Sequence, residues 1–178
     1  MMQLGTKAPE FTLPDAVTGS QMSLTENKSD IATMVMFICN HCPFVKHVQD
    51  ELVRLANDYV PKGIAIIAIN SNDVDNYPED SPAHMKQIAI EKNYPFPYLF
   101  DETQEVAKAF DAACTPDFFI YDKNLCLVYR GQIDDSRPGN NIPVDGQDIR
   151  AALDAMLLGN KVQADQKPSI GCNIKWKE

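Results

Sequence analysis

The chain has 178 residues, 44% of them hydrophobic and 23% charged, a length and balance suited to one soluble globular domain with a sizeable core. Its formal charge of −9, from 16 basic and 25 acidic residues, repels phosphate backbones and anionic lipid, so neither nucleic acid nor a membrane is expected as a partner. No apolar run approaches the ~20 residues of a membrane span, and Met1–Lys7 lacks the charged-then-apolar order of a signal peptide, which makes a cytoplasmic location the expectation.

In chain order, Phe11, Leu13, Met22 and Leu24 flank the turn residues Thr18-Gly19-Ser20, a hairpin pattern. Ile31–Ile38 is apolar without alternation, as in a strand covered on both faces. From Cys42 the period becomes helical: Val45, Val48, Leu52, Leu55 and Tyr59 recur at spacings of three and four, and Gly63 follows as a stop. Ile64–Ile69 reads as a second buried strand, and Asn70–Ser81 as a polar, acidic loop. Met85–Lys92 and Thr103–Ala112 are expected as helices, with Tyr98–Phe100 a short strand between them. Phe118–Tyr121 and Leu125–Arg130 read as paired strands about a Lys123-Asn124 turn, and Ile149, Leu153, Met156 and Leu157 mark a last amphipathic helix. This order argues for an α/β layer structure with a parallel strand–helix–strand crossover. It divides the chain into a domain over residues 1–161 and a tail over 162–178 that shows no periodicity.

The five cysteines are Cys39, Cys42, Cys114, Cys126 and Cys172, an odd number in a chain too long to need a disulfide scaffold. Cys39 ends the first buried strand and Cys42 opens the amphipathic helix, where free N–H groups and the helix dipole favour a thiolate. Two intervening residues let one thiol close a disulfide on the other. Pro43 suits the first helical turn. His41, between the sulfurs, is expected to stabilise a neighbouring thiolate. A purely structural pair and a zinc site are the rival uses of such a motif, but zinc would need two more ligands from Cys114, Cys172 or His41, and no second pair has ligand spacing.

Four segments resemble the thioredoxin superfamily, in its peroxiredoxin-like (alkyl hydroperoxide reductase and thiol-specific antioxidant) branch. Gly5-Thr6-Lys7-Ala8-Pro9-Glu10-Phe11-Thr12-Leu13 is similar to the opening of peroxiredoxins and of membrane-anchored thiol reductases. Phe37-Ile38-Cys39-Asn40-His41-Cys42-Pro43 resembles the active-site strand and helix, and Thr115-Pro116-Asp117-Phe118-Phe119 the cis-proline segment. Pro168-Ser169-Ile170-Gly171-Cys172-Asn173-Ile174-Lys175-Trp176-Lys177 resembles the tail of uncharacterised peroxiredoxin-like proteins. The resemblance implies a thioredoxin-like α/β fold: a central mixed β-sheet flanked by helices, with an N-terminal β-hairpin. It implies a cis Pro116 facing the cysteine pair, with the backbone of Thr115 free to pair with an extended substrate.

The expected activity is thiol–disulfide exchange, with Cys39 the exposed attacker and Cys42 the buried partner, and His41, Thr115 and Pro116 in support. Cys114 and Cys172 are candidate additional redox thiols. No cofactor or metal is expected, and the partners are protein or small-molecule disulfides or dithiols and an external thiol reductant. A thiol peroxidase and a redox-sensing binding protein are the alternatives. Against the peroxidase, Val35 and Cys39 stand where peroxiredoxins carry Pro and Thr before the reactive Cys, and only Arg130 is available for the peroxide-polarising Arg. Cys126 is expected in the core, His47 and His84 on the surface, and Asp73, Asp75, Glu79 and Asp80 in a solvated loop. Asp134–Gly139 is expected on the active-site side.

Overall fold

The computed structural model describes residues 1–178. A hairpin of β1 (Thr12–Pro14) and β2 (Gln21–Ser23) opens the chain. The one-turn helix α1 (Leu24–Asn27) follows, its N-terminus capped by the Ser23 hydroxyl. The central sheet is built from β3 (Ala32–Phe37), β4 (Ala65–Asn70), β5 (Tyr98–Phe100), β7 (Asp117–Asp122) and β8 (Leu127–Gly131) in the order β5-β4-β3-β7-β8. β3, β4 and β5 run parallel, while β7 and β8 are antiparallel, so the sheet is mixed. α2 (Pro43–Tyr59) connects β3 to β4, and α3 (Pro82–Glu91) precedes β5. α4 (Glu105–Ala109) and the short β6 (Cys114–Thr115) lead to β7, and α5 (Gln147–Leu157) follows β8.

The period of two explains the absence of alternation in the strand sequences. Met34, Met36, Ile66, Ala68, Phe118 and Ile120 face one apolar layer with α2, α3 and α5. Val35, Phe37, Ile67, Ile69, Phe119 and Tyr121 face a second layer with α4 and the N-terminal hairpin. Both faces are covered, so every position of β3 is buried and must be apolar or hydrogen-bonded. The fold is thioredoxin-like, with the expected N-terminal hairpin.

Three local expectations are corrected. The helix expected over Thr103–Ala112 is confined to Glu105–Ala109, between left-handed Gln104 and Asp111. Cys126 is half-buried in the bend before β8, which Asp122 Oδ1 shapes by accepting the N–H groups of Asn124 and Cys126. The tail is not patternless: β9 (Cys172–Asn173) pairs antiparallel with β6, Thr115 opposite Cys172 and Cys114 opposite Asn173. Such a two-residue strand is too short to show a period.

Candidate active site

Cys39 lies just beyond the end of β3, and Cys42 is the N-cap of α2 with Pro43 at the first helical position. The intervening loop is fixed from below. Asn40 donates its backbone N–H to Asp80 Oδ1 at 2.7 Å and its side-chain amide to Glu79 O at 2.9 Å, and its carbonyl oxygen accepts from the Tyr98 hydroxyl at 2.9 Å. Across the loop the Thr115–Pro116 bond is cis. Thr115 meets both cysteines: Cys39 Sγ lies 3.4 Å from its hydroxyl, and Cys42 Sγ lies 3.5 Å from its carbonyl oxygen.

The third sulfur of the cluster comes from the tail, with Cys172 Sγ 2.6 Å from Cys42 Sγ. The approach is built into the backbone, because a side chain on neighbouring Gly171 would collide with the Thr115 carbonyl. Cys114, next to Thr115 on β6, turns the other way, and its thiol lies 3.7 Å from Pro116 O. Burial, then the negative charge of Asp117, pushes Cys114 up to about 12. Of the two additional candidates, the structure brings Cys172 and not Cys114 into contact with Cys42.

Cys39 is not the exposed member of the pair that the sequence led us to expect. Both are buried, each 1% exposed. The hydrogen bond from Cys39 is the largest influence on Cys42 and, with the Cys172 contact and the Val45 N–H, holds it down at about 4 against the opposing effect of burial. Cys39 is held well above the ordinary thiol range by that same hydrogen bond and then by burial, with the Asp80 charge adding to it. The two thiols titrate as a coupled pair, with Cys42 drawn toward the thiolate and Cys39 away from it. Burial, followed by the hydrogen bond to Cys42, raises Cys172 to about 11.

His41 does not aim at Cys42. Its ring stacks on Tyr77 at 5.7 Å and 7°, and its Nδ1 sits 2.6 Å from Asp80 Oδ2 without hydrogen-bond alignment. Asp80 is fully buried, not solvated: Asn40, Asn70 and Asn72 all donate to it. Sequence reasoning missed Asn40 and read Asp80 as solvated. The available signal was position, since loops after the C-terminal ends of parallel strands rim the crevice of an α/β sheet. Cys39 Sγ, a ring nitrogen of His41 and a carboxylate oxygen of Asp80 lie within 4.8 Å of one another. That set could offer a metal three ligands, although the carboxylate oxygens already accept the three asparagine donors.

Elsewhere, His47 is half-buried rather than on the surface, its Nε2 2.7 Å from the Ser136 hydroxyl. This contact joins α2 to the Asp134–Gly139 loop, which lines a cleft with Phe44 and Pro116 on the active-site side. His84 is exposed. Arg130 donates from Nε to Met2 O at 2.7 Å and from Nη1 to Gln166 Oε1 at 3.0 Å. No helix is long and apolar enough to cross a membrane.

Residues 4–130 match the AhpC/TSA family. No curated protein matches the chain. Among solved structures, an uncharacterized conserved protein from Geobacillus kaustophilus is 67% identical, with a TM-score of 0.98 over 99% of this chain and 94% of that one. A hypothetical protein from Sinorhizobium meliloti 1021 is 50% identical, with a TM-score of 0.97 over 99% of this chain and 96% of that one. A thiol:disulfide interchange protein of the thioredoxin family from Chlorobium tepidum TLS is 17% identical, with a TM-score of 0.66 over 88% of this chain and 99% of that one, a likeness of fold.

Proposed function

The chain belongs to the AhpC/TSA family, and from that premise we propose that it is a thiol–disulfide oxidoreductase acting through Cys39 and Cys42. The observation that carries this reading is geometric: Cys42 caps the start of α2, and Thr115, before the cis Pro116, contacts both Cys39 Sγ and Cys42 Sγ. The Cys42 thiolate attacks one sulfur of a substrate disulfide, forming a mixed disulfide and expelling the first substrate thiolate. Cys39 gives up its proton and attacks Cys42 Sγ, expelling the second. Two protein thiols become one disulfide as one substrate disulfide becomes two thiols. An external thiol system restores the dithiol, and no cofactor enters the cycle.

A thiol peroxidase is the second reading, favoured by the downward pull on Cys42, the position that aligns with the peroxidatic cysteine. In that cycle Cys42 becomes a sulfenic acid, which a neighbouring thiol condenses to a disulfide. Against it, Cys39 occupies the place of the family's Thr, and Arg130 turns Nε and Nη1 toward Met2 O and Gln166. The two readings separate when the reduced protein is exposed in parallel to oxidised glutathione and to hydrogen peroxide, with Cys39→Ser and Cys42→Ser alongside. Faster oxidation by the disulfide, abolished in Cys42→Ser, supports the oxidoreductase. Faster peroxide reaction through a trapped sulfenic acid replaces it with the peroxidase.

A further inference from the structure

Three observations converge on the tail. Its strand β9 pairs with β6 at Thr115, the residue before the cis proline, and so fills the backbone edge that an extended substrate would need. Its Cys172 Sγ stands 2.6 Å from Cys42 Sγ. The arrangement is fixed rather than draped: Lys175 and Lys177 each donate a backbone N–H, to Asn72 and to Gln104, and Ile174 is buried in the core. A second segment competing for the Thr115 edge would have to break all of these.

We propose that the tail is an internal substrate strand, with Cys172 the third redox thiol and the Cys42–Cys172 disulfide the form handed to the external reductant. This deepens the oxidoreductase reading and rests on it. In the oxidising half, Cys42 thiolate attacks a small disulfide RSSR, giving Cys42–S–S–R and one RS⁻. Cys172 loses its proton to solvent and attacks Cys42 Sγ, giving Cys42–S–S–Cys172 and the second RS⁻. Exchange with Cys39 interconverts this disulfide with Cys39–Cys42 without net electron transfer. In the reducing half, a dithiol attacks the sulfur it can reach. Cys172 is half-buried, whereas Cys39 and Cys42 are each only 1% exposed. Attack on Cys172 expels Cys42, and a sulfur that is stable as a thiolate is the better leaving group. The dithiol's second sulfur then closes its own disulfide and releases the Cys172 thiol.

The test maps disulfides by mass after oxidised glutathione treats the reduced wild type, Cys39→Ser and Cys172→Ser. The expected result is an intramolecular Cys42–Cys172 disulfide in Cys39→Ser, with two glutathione thiols released per chain, and Cys39–Cys42 in Cys172→Ser. Dithiothreitol should then reduce oxidised wild type about tenfold faster than oxidised Cys172→Ser. If Cys39→Ser stops at a glutathione adduct on Cys42 while the wild type forms Cys39–Cys42, the role of Cys172 is overturned and the oxidoreductase stands. Equal reduction rates for the two proteins also overturn that role. If no variant is oxidised at Cys42, the oxidoreductase reading falls and takes the inference with it. The Cys39→Ser arm leaves the tail untouched, so it does not depend on how Cys172→Ser folds.

Discussion

The downward pull on the Cys42 thiol comes from neighbours that can be removed singly. That pull owes most to Cys39, so Cys39→Ser removes the sulfur coupled to it. Iodoacetamide alkylation of Cys42 should therefore be nearly flat from about pH 5 to 8 in the wild type and rise with pH in Cys39→Ser. A wild-type rate that still climbs tenfold per unit near pH 7 would show an ordinary thiol. Asp117, immediately after the cis proline, moves the opposite way. Burial raises its carboxyl from 3.8 to about 6 against the opposing Phe118 N–H hydrogen bond. The folded state therefore holds this proton more tightly than the unfolded chain. Its influence is nil below both values, lowers stability as the pH rises from about 4 to about 6, and is constant above. Asp117→Asn should remove that decline and raise stability at pH 7 by on the order of 2 kcal/mol. Urea unfolding of both proteins at pH 4 and pH 7 checks the sign. An equal shift at the two pH values would point to packing instead.

At the scale of elements, α2 carries both the apolar stripe that holds it to the sheet and a polar clamp that holds it to α5. Glu51, 3% exposed on α2, accepts from Arg150 of α5 at 2.8 Å and from Arg54 at 2.7 Å, and Arg150 also reaches Asp58 at 2.7 Å. Arg150→Met leaves a buried carboxylate with only the more exposed Arg54. Breaking such a pair from one side costs about 3 kcal/mol, and retained Arg54 reduces this to about 1–2 kcal/mol. If chemical denaturation instead shows a gain, the pair serves register rather than stability. The helix itself was legible in the sequence because its apolar spacing and the Pro43 start are local signals. The strand–cysteine–helix order and the Thr115-Pro116 turn were legible for the same reason. The burial of Cys39 and the contacts made by the two sulfurs were not, because they depend on Thr115 and Cys172, both distant in sequence. Asp80 read as solvated because a run of acidic and amide residues looks the same whether it faces water or closes on itself. Here Asn40, Asn70 and Asn72 turn it inward.

For the whole molecule, the tail is the part least legible beforehand and most consequential for the site. Its strand is two residues long and its partner lies on β6, so it shows neither period nor neighbouring turn. What anchors it is distributed: Gln104 donates to Ser71 O at 2.7 Å and Lys175 O at 2.8 Å, Asp73 N–H donates to Lys175 O at 2.8 Å, and Ile174 is 3% exposed. Truncation after Pro168 would expose the apolar surface around Ile174, a loss of about 2 kcal/mol. It would also strip partners from the buried amides of Asn72 and Gln104, each about 1 kcal/mol or more. A total near 4 kcal/mol corresponds to a Tm about 10 °C lower for a domain of this size. The same cut removes the strand from the Thr115 edge and the sulfur from beside Cys42. The shortened protein should thus melt earlier in calorimetry yet be alkylated faster at Cys42 under native conditions. A cut that lowers Tm while leaving the alkylation rate unchanged would mean that the tail braces the fold without covering the thiolate.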